Sequence, residues 1–241
     1  MIDRTGSASA LTEPTAVLSG YTVGVTSDRR RDELATLLEH RGARVVIAPA
    51  LSIVPTGDDA TVVLLDDHRR PAGQLPKAQV HHADTPLHLA FSCYLFDEFG
   101  RLLMTRRALS KKAWPGVWSN SCCGHPLPDE DLAAAAARRL HEELGLRLVR
   151  AAVALPDFSY RAVDPGGVVE NEFCPVLVGA VDGAPEPDPA EVLEYRWVPW
   201  ADVVGLASVG PWAISPWSAL QIPQLAALGH PPWSLLTAQP N

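Results

Sequence analysis

Residues 124–146, GHPLPDEDLAAAAARRLHEELGL, decide the fold that the sequence predicts. Acidic residues stand near the start of this stretch, an alanine run fills its middle, and Gly145 follows the last charged turn. Acidic side chains favour the amino-terminal end of a helix, alanine is the strongest helix former, and glycine commonly ends a helix. We therefore predict one helix over residues 128–145.

Strand-like segments surround this helix in the sequence. TVVLLDD (61–67) and LHLAFSCYLFDEFGRLLMTRRAL (87–109) precede it, and LFDEFGRLLM (95–104) is typical of a hairpin. VVENEFCPVLVGAV (168–181) and VLEYRWVPW (192–200) follow it as further strands. Strands on both sides of a central helix predict an α/β class, and within it an α+β sandwich in which a mixed sheet is flanked by helices.

A short β-α-β unit is predicted near the amino terminus. GYTVGVT (20–26) and ARVVIAPAL (43–51) are β-branched runs, and RRRDELATLLEHRG (29–42) has helical leucine spacing and a terminal glycine. The stretch 20–55 resembles the amino-terminal fragment of uroporphyrinogen-III synthase. The likeness covers about one sixth of the chain, and the rest of that enzyme is not found in it, so it implies no activity.

The change of pattern predicts two parts, an amino-terminal extension over residues 1–57 and a second domain over residues 58–241. No residues with catalytic spacing occur in the first part. A fused fragment, a docking appendage and an upstream start site are all open explanations for it.

Composition and charge exclude several classes of protein. The chain has 241 residues, and 20 basic against 28 acidic side chains give a net charge of −8, which argues against a general binder of nucleic acid or of membrane surfaces. No apolar run approaches the ~18 residues of a membrane span, and the first twenty residues have early acidic side chains and lack the apolar core of a secretory signal, so we do not expect them to act as one. Four cysteines in a chain of this length predict reduced thiols in a cytoplasmic protein, and we favour a monomer.

The helical stretch also carries a spaced pattern of charges. Its frame is Gly124, five residues, Glu130, seven residues, Arg138, and then Arg139 with Leu-His-Glu-Glu-Leu-Gly. This frame resembles the Nudix signature, a loop-helix-loop whose acidic side chains hold a divalent metal against a diphosphate. Hydrolytic members have Glu where this chain has Arg139. A cation there cannot coordinate Mg²⁺ and would instead pair with phosphate oxygens, so the resemblance implies the fold and a diphosphate site rather than hydrolysis.

Residue types that bind metals occur around this helix in the sequence. His81 and His88 lie in one segment, His125 follows a cysteine pair, and Glu170 and Glu172 alternate in VVENEF. Positions two apart in a strand face the same side, so both carboxylates can reach one site. Three imidazoles and two carboxylates suit Zn²⁺, Mn²⁺ or Mg²⁺.

Four longer motifs carry a more specific resemblance. They are HHADTPLHLAF (81–91), TRRALSKKAWPGVWSNSCCGHP (105–126), PDFSYRAVDPGGVVENEFCP (156–175) and PWAISPW (211–217). In this order they resemble the type 1 isopentenyl-diphosphate isomerases, a family in the Nudix superfamily, from about residue 58 to 220 or beyond. The resemblance implies interconversion of isopentenyl and dimethylallyl diphosphate through a tertiary carbocation, in isoprenoid biosynthesis. The implied partner is therefore a small prenyl diphosphate.

The resemblance also implies roles for individual residues. Cys123 matches the catalytic thiol, Glu172 the second acid/base and Tyr160 the tyrosine beside it, while Cys122 is interpreted as packing. Trp217 matches the aromatic residue that faces the carbocation. The implied metal ligands are His81, His88, His125, Glu170 and Glu172, with Glu143 as the ligand of a second ion, Mg²⁺, on the diphosphate. The implied diphosphate contacts are Lys77, Arg107, Lys111 and Arg139.

Three alternatives stay open at this point. The same acid, carboxylate and metal set could begin the cyclisation of a longer prenyl diphosphate, as in a terpene cyclase, with Cys93 and Tyr94 enlarging the pocket. A Nudix hydrolase of a nucleoside diphosphate is the second alternative, and Arg139 argues against it. The third is a non-enzymatic scaffold, for which residues 1–57 would serve as an interaction module.

Overall fold

The structure is a computed structural model, and it describes residues 17–25, 31–47 and 61–237. The chain divides into two compact units, Met1–Val54 and Pro55–Asn241. The boundary predicted between residues 57 and 58 lies outside the described residues, so the proposed division at that position stays a prediction.

The first unit is the β-α-β arrangement that the sequence predicts. Strand β1 (Thr22–Val25), helix α1 (Arg31–Glu39) and strand β2 (Arg44–Ile47) follow one another, and β1 pairs in parallel with β2. Gly42 lies just beyond the helix with a φ of 87°, a left-handed conformation that glycine adopts without a Cβ penalty. The terminal glycine of this stretch therefore has the predicted place, between the helix and the second strand.

The second unit contains twelve strands and four helices among the described residues. The strands are β3 (Thr61–Leu65), β4 (Pro71–Pro76), β5 (His88–Leu89), β6 (Phe91–Leu95), β7 (Arg101–Arg107), β8 (Trp118–Ser119), β9 (Cys122–Gly124), β10 (Arg147–Leu155), β11 (Ser159–Val163), β12 (Val169–Phe173), β13 (Val176–Asp182) and β14 (Val192–Pro199). The helices are α2 (Lys77–Val80), α3 (Leu132–Leu144), α4 (Trp200–Val209) and α5 (Pro216–Ala226), with 3-10 turns at Pro211–Ala213 and Pro232–Leu236.

These strands form three sheets with mixed pairing. Their orders are β10-β13-β6-β9, β11-β12-β5-β3-β4 and β14-β7-β8. The pairs β13–β6 and β12–β5 are parallel, and the other pairs are antiparallel. The predicted mixed sheet with flanking helices is confirmed.

The central strand β6 explains why the unit is a sandwich. Its five residues are all buried, and successive side chains point to opposite faces. Phe91, Cys93 and Leu95 pack in a cluster with the apolar face of α3, while Tyr94 packs in a second cluster with residues of α5. One helix therefore covers each face of this sheet, and the functional residues described below lie around β6, β9 and β12.

Helix α3 ends before Gly145 as predicted, but it begins at Leu132 rather than at residue 128, because Asp129 has a φ of 63°, outside the right-handed helical region. Asp131 is the N-cap, and its carboxylate accepts hydrogen bonds from the backbone N–H groups of Ala133 and Ala134. Gly145 adopts a left-handed conformation at the carboxyl end, and its N–H donates to the carbonyl of His141. The buried face includes Ala135, Ala136, Leu140 and Leu144, together with the charged Arg139 and Glu143.

Two strand predictions are corrected by the structure. The predicted strand 168–181 is two strands, because Pro175 cannot donate a ladder hydrogen bond and the chain passes there from the sheet of β12 to the sheet of β13. The predicted hairpin at 95–104 has its turn, but its arms are joined by a single bridge between Phe96 and Leu102 before β6 and β7 enter different sheets.

Candidate active site

Three histidines, of which His88 and His125 are buried and His81 is partly buried, meet at one point of the second unit. The ring centroids of His81, His88 and His125 lie 5.2 to 5.4 Å from one another. One ligand-type atom from each ring and one carboxylate oxygen of Glu172 all lie within 4.8 Å of one another. Glu170 lies beside this group, with 3.2 Å between its Oε2 and Nε2 of His81.

The strand pairing brings these side chains together. His81 follows the single-turn helix α2, His88 begins β5, and His125 follows β9. Strand β12 pairs in parallel with β5 so that Glu172 is the register partner of His88. The Nε2 of His88 lies 3.5 Å from Oε1 of Glu172, and Nε2 of His125 lies 3.7 Å from the same oxygen.

The protonation states of this cluster fit a bound cation. Burial and the neighbouring imidazoles lower the pKa of His81 to about 3, and burial is the main cause that lowers the pKa of His125 to about 4, so both rings are neutral near pH 7. Burial and repulsion from Glu172 raise the pKa of Glu170 well above its usual value. Burial opposes ionisation of Glu172 too, but the nearby His125 and His88 rings hold its pKa well below the usual value.

Buried polar atoms without hydrogen-bond partners also fit a bound cation. The Nδ1 of His88 donates to the carbonyl oxygen of Pro86 at 2.9 Å, which leaves the Nε2 lone pair facing the cluster. Among the described residues, this Nε2, ring nitrogens of His81 and His125, and Oε2 of Glu170 are buried without a hydrogen-bond partner. Buried polar atoms without partners are costly, and a divalent cation would satisfy a set of neutral imidazoles and carboxylates.

The two adjacent cysteines face opposite sides of β9. Cys122 is 3% exposed and packs in the cluster beneath α3, whereas Cys123 is partly exposed and packs against the cluster around Tyr94. Alternation along a strand produces this difference. The Cys123 thiol donates to Oδ1 of Asn120 at 3.2 Å and lies 3.5 Å from Oγ of Ser92. Burial raises the pKa of the Cys123 thiol to about 12, and the negative charge of Glu172 acts in the same direction.

Aromatic residues line the space beside this thiol. Tyr160 is the antiparallel register partner of Glu172, so their side chains project from the same face. The rings of Tyr160 and Trp217 are 5.9 Å apart between centroids, and Trp114 packs edge-on against Trp217 at 5.6 Å. Trp217 is held at the start of α5, where Ser215 is the N-cap and Pro216 occupies the first turn.

The four predicted diphosphate contacts form a basic region. The positive charges of Arg107, Lys77 and Arg139 each act to lower the pKa of Lys111, and with burial as the largest cause that pKa falls to about 7. Arg107 also donates to the carbonyl of Ala113 and lies over the Trp217 ring, 5.4 Å from its centroid. This arginine therefore contacts the aromatic side of the site as well as the basic side.

Helix α3 contributes a cation and carboxylates together. Arg139 donates to Glu142 at 2.7 Å and to Glu143 at 2.5 Å, and its NH2 lies 3.5 Å from a carboxylate oxygen of Glu191. Lys111 forms an ion pair with the same Glu191. Sequence reasoning missed Glu191, because its contacts come from residues 52 and 80 positions away and only the folded chain brings them together.

Gly124 allows this helix to lie close to β9. A Cβ atom at this position would be 2.8 Å from Cγ of Arg139 and 3.1 to 3.2 Å from ring carbons of Phe91. Real Cβ atoms essentially never approach within 3.0 Å of another heavy atom. The strand that carries Cys123 is therefore next to the helix that carries Arg139 because residue 124 has no side chain.

The structure brings the three histidines, Glu170 and Glu172 into one cluster and the four predicted diphosphate contacts into one basic region, and the roles of these residues stay predictions. The carboxylate of Glu170 stands against His81, outside the four-residue group. Sequence reasoning missed Asn120, although the motif NSCCGHP contains it, and it missed Ser92 and Gln221. The Nε2 of Gln221 donates to Oγ of Ser92, which in turn lies beside the Cys123 thiol.

A conserved sequence profile identifies the class of protein to which this fold and site correspond. The profile of the NUDIX domain matches residues 86–220. The protein DR0079 of Deinococcus radiodurans has a similar fold, with a TM-score of 0.53 and 19% identity over 68% of this chain and 98% of that chain. At this identity the likeness concerns the fold alone.

Relatives of more than 50% identity identify the family within this class to which the chain belongs. The isopentenyl-diphosphate Delta-isomerase of Frankia alni is 57% identical over 180 residues, which cover 75% of this chain and 93% of the relative. That of Mycolicibacterium vanbaalenii is 56% identical over 73% of this chain and 99% of the relative. The chain belongs to the isopentenyl-diphosphate Delta-isomerase family, within the Nudix superfamily. In the part of the chain that the structure describes, no helix has the length and apolar character needed to cross a membrane.

Proposed function

We propose that this protein is an enzyme that interconverts isopentenyl diphosphate and dimethylallyl diphosphate. The observation that carries the proposal is the arrangement of two proton-carrying groups in one aromatic pocket. Cys123 comes from β9 and Glu172 from β12, and the negative charge of Glu172 helps to raise the pKa of the Cys123 thiol. Relatives named for this activity share more than half of their residues with the chain over the same region.

The two groups fit a reaction that adds one proton and removes another. Protonation of the terminal carbon of the alkene forms a tertiary carbocation, and loss of a proton from the neighbouring carbon completes the movement of the double bond. A thiol whose pKa is raised keeps its proton until a base as weak as an alkene is in contact with it. Glu172, whose pKa is low, is ionised and can take the proton on the other side. In the reverse direction the same two groups exchange roles.

Aromatic side chains protect the carbocation. Trp217 and Trp114 are almost fully buried, and Tyr160 is 8% exposed, so bulk water is kept from the reacting carbons. The face of an indole ring stabilises a positive charge by ~2 kcal/mol or more when the charge is desolvated. We assign this role to Trp217, because Tyr160 beside it is the register partner of the proposed base.

The basic region binds the diphosphate in this proposal. Lys77, Arg107, Lys111 and Arg139 share one region, and guanidinium groups pair well with phosphate oxygens. Arg139 occupies the position where hydrolytic Nudix enzymes carry a Glu, and it forms ion pairs with Glu142 and Glu143. A cation cannot serve as a metal ligand at that position, so we favour substrate binding over hydrolysis of the diphosphate.

Two divalent ions complete the proposed site. His81, His88, His125, Glu170 and Glu172 would hold one ion, Zn²⁺, Mn²⁺ or Mg²⁺, and Glu143 would hold Mg²⁺ with the diphosphate. When bound, such ions supply positive charge that neutralises the carboxylates and the diphosphate. The chain itself orients the imidazoles through contacts such as the hydrogen bond from His88 to Pro86.

The cyclase alternative has no structural observation in its favour. Cys93 lies on the face of β6 that packs against α3, away from the thiol of Cys123. Tyr94 is fully buried, and its hydroxyl donates to Gln221 at 2.8 Å. Neither side chain enlarges the pocket, so we favour the five-carbon substrate.

The proposal also covers the division into domains, the cellular compartment and the oligomeric state. We propose that residues 58–241 form the catalytic domain and that residues 1–57 are a non-catalytic extension. We further propose a cytoplasmic monomer whose cysteines are reduced, since all four are free thiols in the structure.

The proposal is tested by incubating the protein with isopentenyl diphosphate and Mg²⁺ in D₂O and analysing the products by mass spectrometry and NMR. Deuterated dimethylallyl diphosphate is the expected product. Release of phosphate or pyrophosphate would indicate hydrolysis, and a cyclic product from a longer prenyl diphosphate would indicate a cyclase. A folded, metal-loaded protein that converts no five-carbon substrate would refute the proposal.

A further inference from the structure

One buried side-chain amide links the thiol and the indole of the site. Asn120 is 1% exposed and lies just after β8. Its Nδ2 donates to the carbonyl oxygens of Cys93 at 3.0 Å and Cys122 at 2.7 Å. Because a carbonyl oxygen accepts and does not donate, these two bonds fix which end of the amide is the nitrogen.

The other end of the amide faces the reacting groups. Oδ1 of Asn120 accepts from the Cys123 thiol at 3.2 Å and from the indole Nε1–H of Trp217 at 2.9 Å. The Trp217 Nε1–H also lies 3.0 Å from Oγ of Ser119, whose hydroxyl donates to the same Oδ1. Oδ1 of Asn120 therefore accepts hydrogen bonds from both the proposed acid, Cys123, and the proposed cation-stabilising ring, Trp217.

The backbone holds this arrangement rigidly. Trp217 belongs to α5 and Cys123 to β9, two elements separated by more than ninety residues of sequence. The backbone N–H of Asn120 donates to Oγ of Ser218, and the N–H of Ser215 donates to the carbonyl of Trp118. The start of α5 is thus fastened to the segment that carries Asn120, and the amide has little freedom to rotate.

We propose that Asn120 is a positioning residue that fixes the Cys123 thiol and the Trp217 ring relative to each other. This inference rests on the proposed function, since it concerns the acid and the ring that would serve it. The side-chain hydrogen bonds of Asn120 described above go to strand carbonyls, the thiol and the indole, so it should affect the chemical step rather than diphosphate binding. A displacement of about 1 Å in a reacting group can cost about a hundredfold in rate.

Ser121 offers a matched control for a merely structural effect. It is the neighbouring residue and is fully buried, its hydroxyl donates to the carbonyl of Leu103, and it accepts from the N–H of Leu95. Like Asn120 it joins strands through two hydrogen bonds to the backbone. Both of its side-chain bonds go to strand backbone, and neither goes to the thiol or to the indole.

The experiment compares Asn120→Ala with Ser121→Ala in the full-length, metal-loaded protein. We expect kcat of Asn120→Ala to fall by roughly 10- to 100-fold with KM for isopentenyl diphosphate changed less than about threefold. Ser121→Ala should keep kcat within about threefold of the wild type, although both variants lose thermal stability. Equal loss of kcat in the two variants, or an unchanged kcat in Asn120→Ala, would overturn the proposal.

A second substitution tests the link without disturbing Asn120. Replacing Trp217 by 3-benzothienylalanine keeps a ring of the same shape and exchanges the N–H for sulfur, so the bond to Oδ1 is lost. We expect a fall in kcat of about tenfold in this variant, and the variant that also carries Asn120→Ala should lose no more activity than Asn120→Ala alone. Full additivity of the two changes, or no effect of the sulfur analogue, would contradict the link.

This second substitution also carries the test if Asn120→Ala does not fold. Wild-type protein that makes no dimethylallyl diphosphate would refute the proposed function, and this inference with it. Wild-type and Ser121→Ala proteins that turn over normally, beside an equally active Asn120→Ala, would refute the inference alone.

Discussion

Replacing each of the two adjacent cysteines by alanine separates catalysis from packing. Cys122→Ala removes a sulfur from the cluster beneath α3 and leaves a cavity of about one methyl group or more, which costs ~1 kcal/mol. Cys123→Ala removes the bond to Asn120 and the contact with Ser92, which also costs ~1 kcal/mol. Either change should lower the melting temperature by only about 2–4 °C.

The two variants should differ sharply in turnover. A proton donor contributes about 10²- to 10⁴-fold to a rate, or roughly 3–5 kcal/mol of barrier, so Cys123→Ala should be nearly inactive. Cys122→Ala should keep most of its activity, because its sulfur faces away from the pocket. The assay is deuterium incorporation from D₂O into dimethylallyl diphosphate, with melting curves measured on the same samples. More than about a tenth of wild-type turnover in Cys123→Ala, or an equal loss in Cys122→Ala, would refute the assignment.

Other substitutions test the remaining parts of the site. Glu172→Gln should lower kcat by about 10²-fold or more because the base is lost, and metal analysis of the purified variant should separate this loss from a loss of bound ion. Glu143→Gln should raise the Mg²⁺ concentration needed for half-maximal activity about tenfold, whereas Glu142→Gln serves as the control on the same helix. Trp217→Ala should lower kcat about 30-fold, which corresponds to ~2 kcal/mol of lost cation stabilisation, and should change diphosphate affinity much less. A larger effect of this last variant on affinity than on kcat would contradict the role of the ring.

Local signals predicted the helix that organises the site. Gly145 ends it as predicted, an effect that acts within a few residues of sequence, whereas the start predicted at residue 128 lies before the observed N-cap, Asp131. The β-α-β order near the amino terminus and the alternation of Cys122 and Cys123 also follow from short-range rules. Short-range rules did not predict where strands change sheets, because the break at Pro175 depends on which strands are available for pairing.

The sequence singled out residues that the structure places near one another, but it did not predict the contacts between them. Resemblance to a family supplied Cys123 and Glu172, and strand alternation placed both Glu170 and Glu172 on one face. The links through Asn120 could not be predicted, because its partner Trp217 lies 97 residues away and sequence spacing carries no such distance. Glu191 was missed for the same reason, since its importance lies in two cations that come from other elements.

The bare backbone at Gly124 has a consequence for the length of the substrate. Arg139 on one side of this residue belongs to the proposed diphosphate end of the site, and Cys123 on the other belongs to the hydrocarbon end. The absence of a side chain at position 124 lets the helix lie close to the strand, which shortens the span between these two ends. Any side chain at position 124 would push the helix outward and lengthen that span, while the five-carbon molecule that must bridge it keeps its length. Residue 124 therefore contributes to the selection of substrate length, although it offers no functional group of its own.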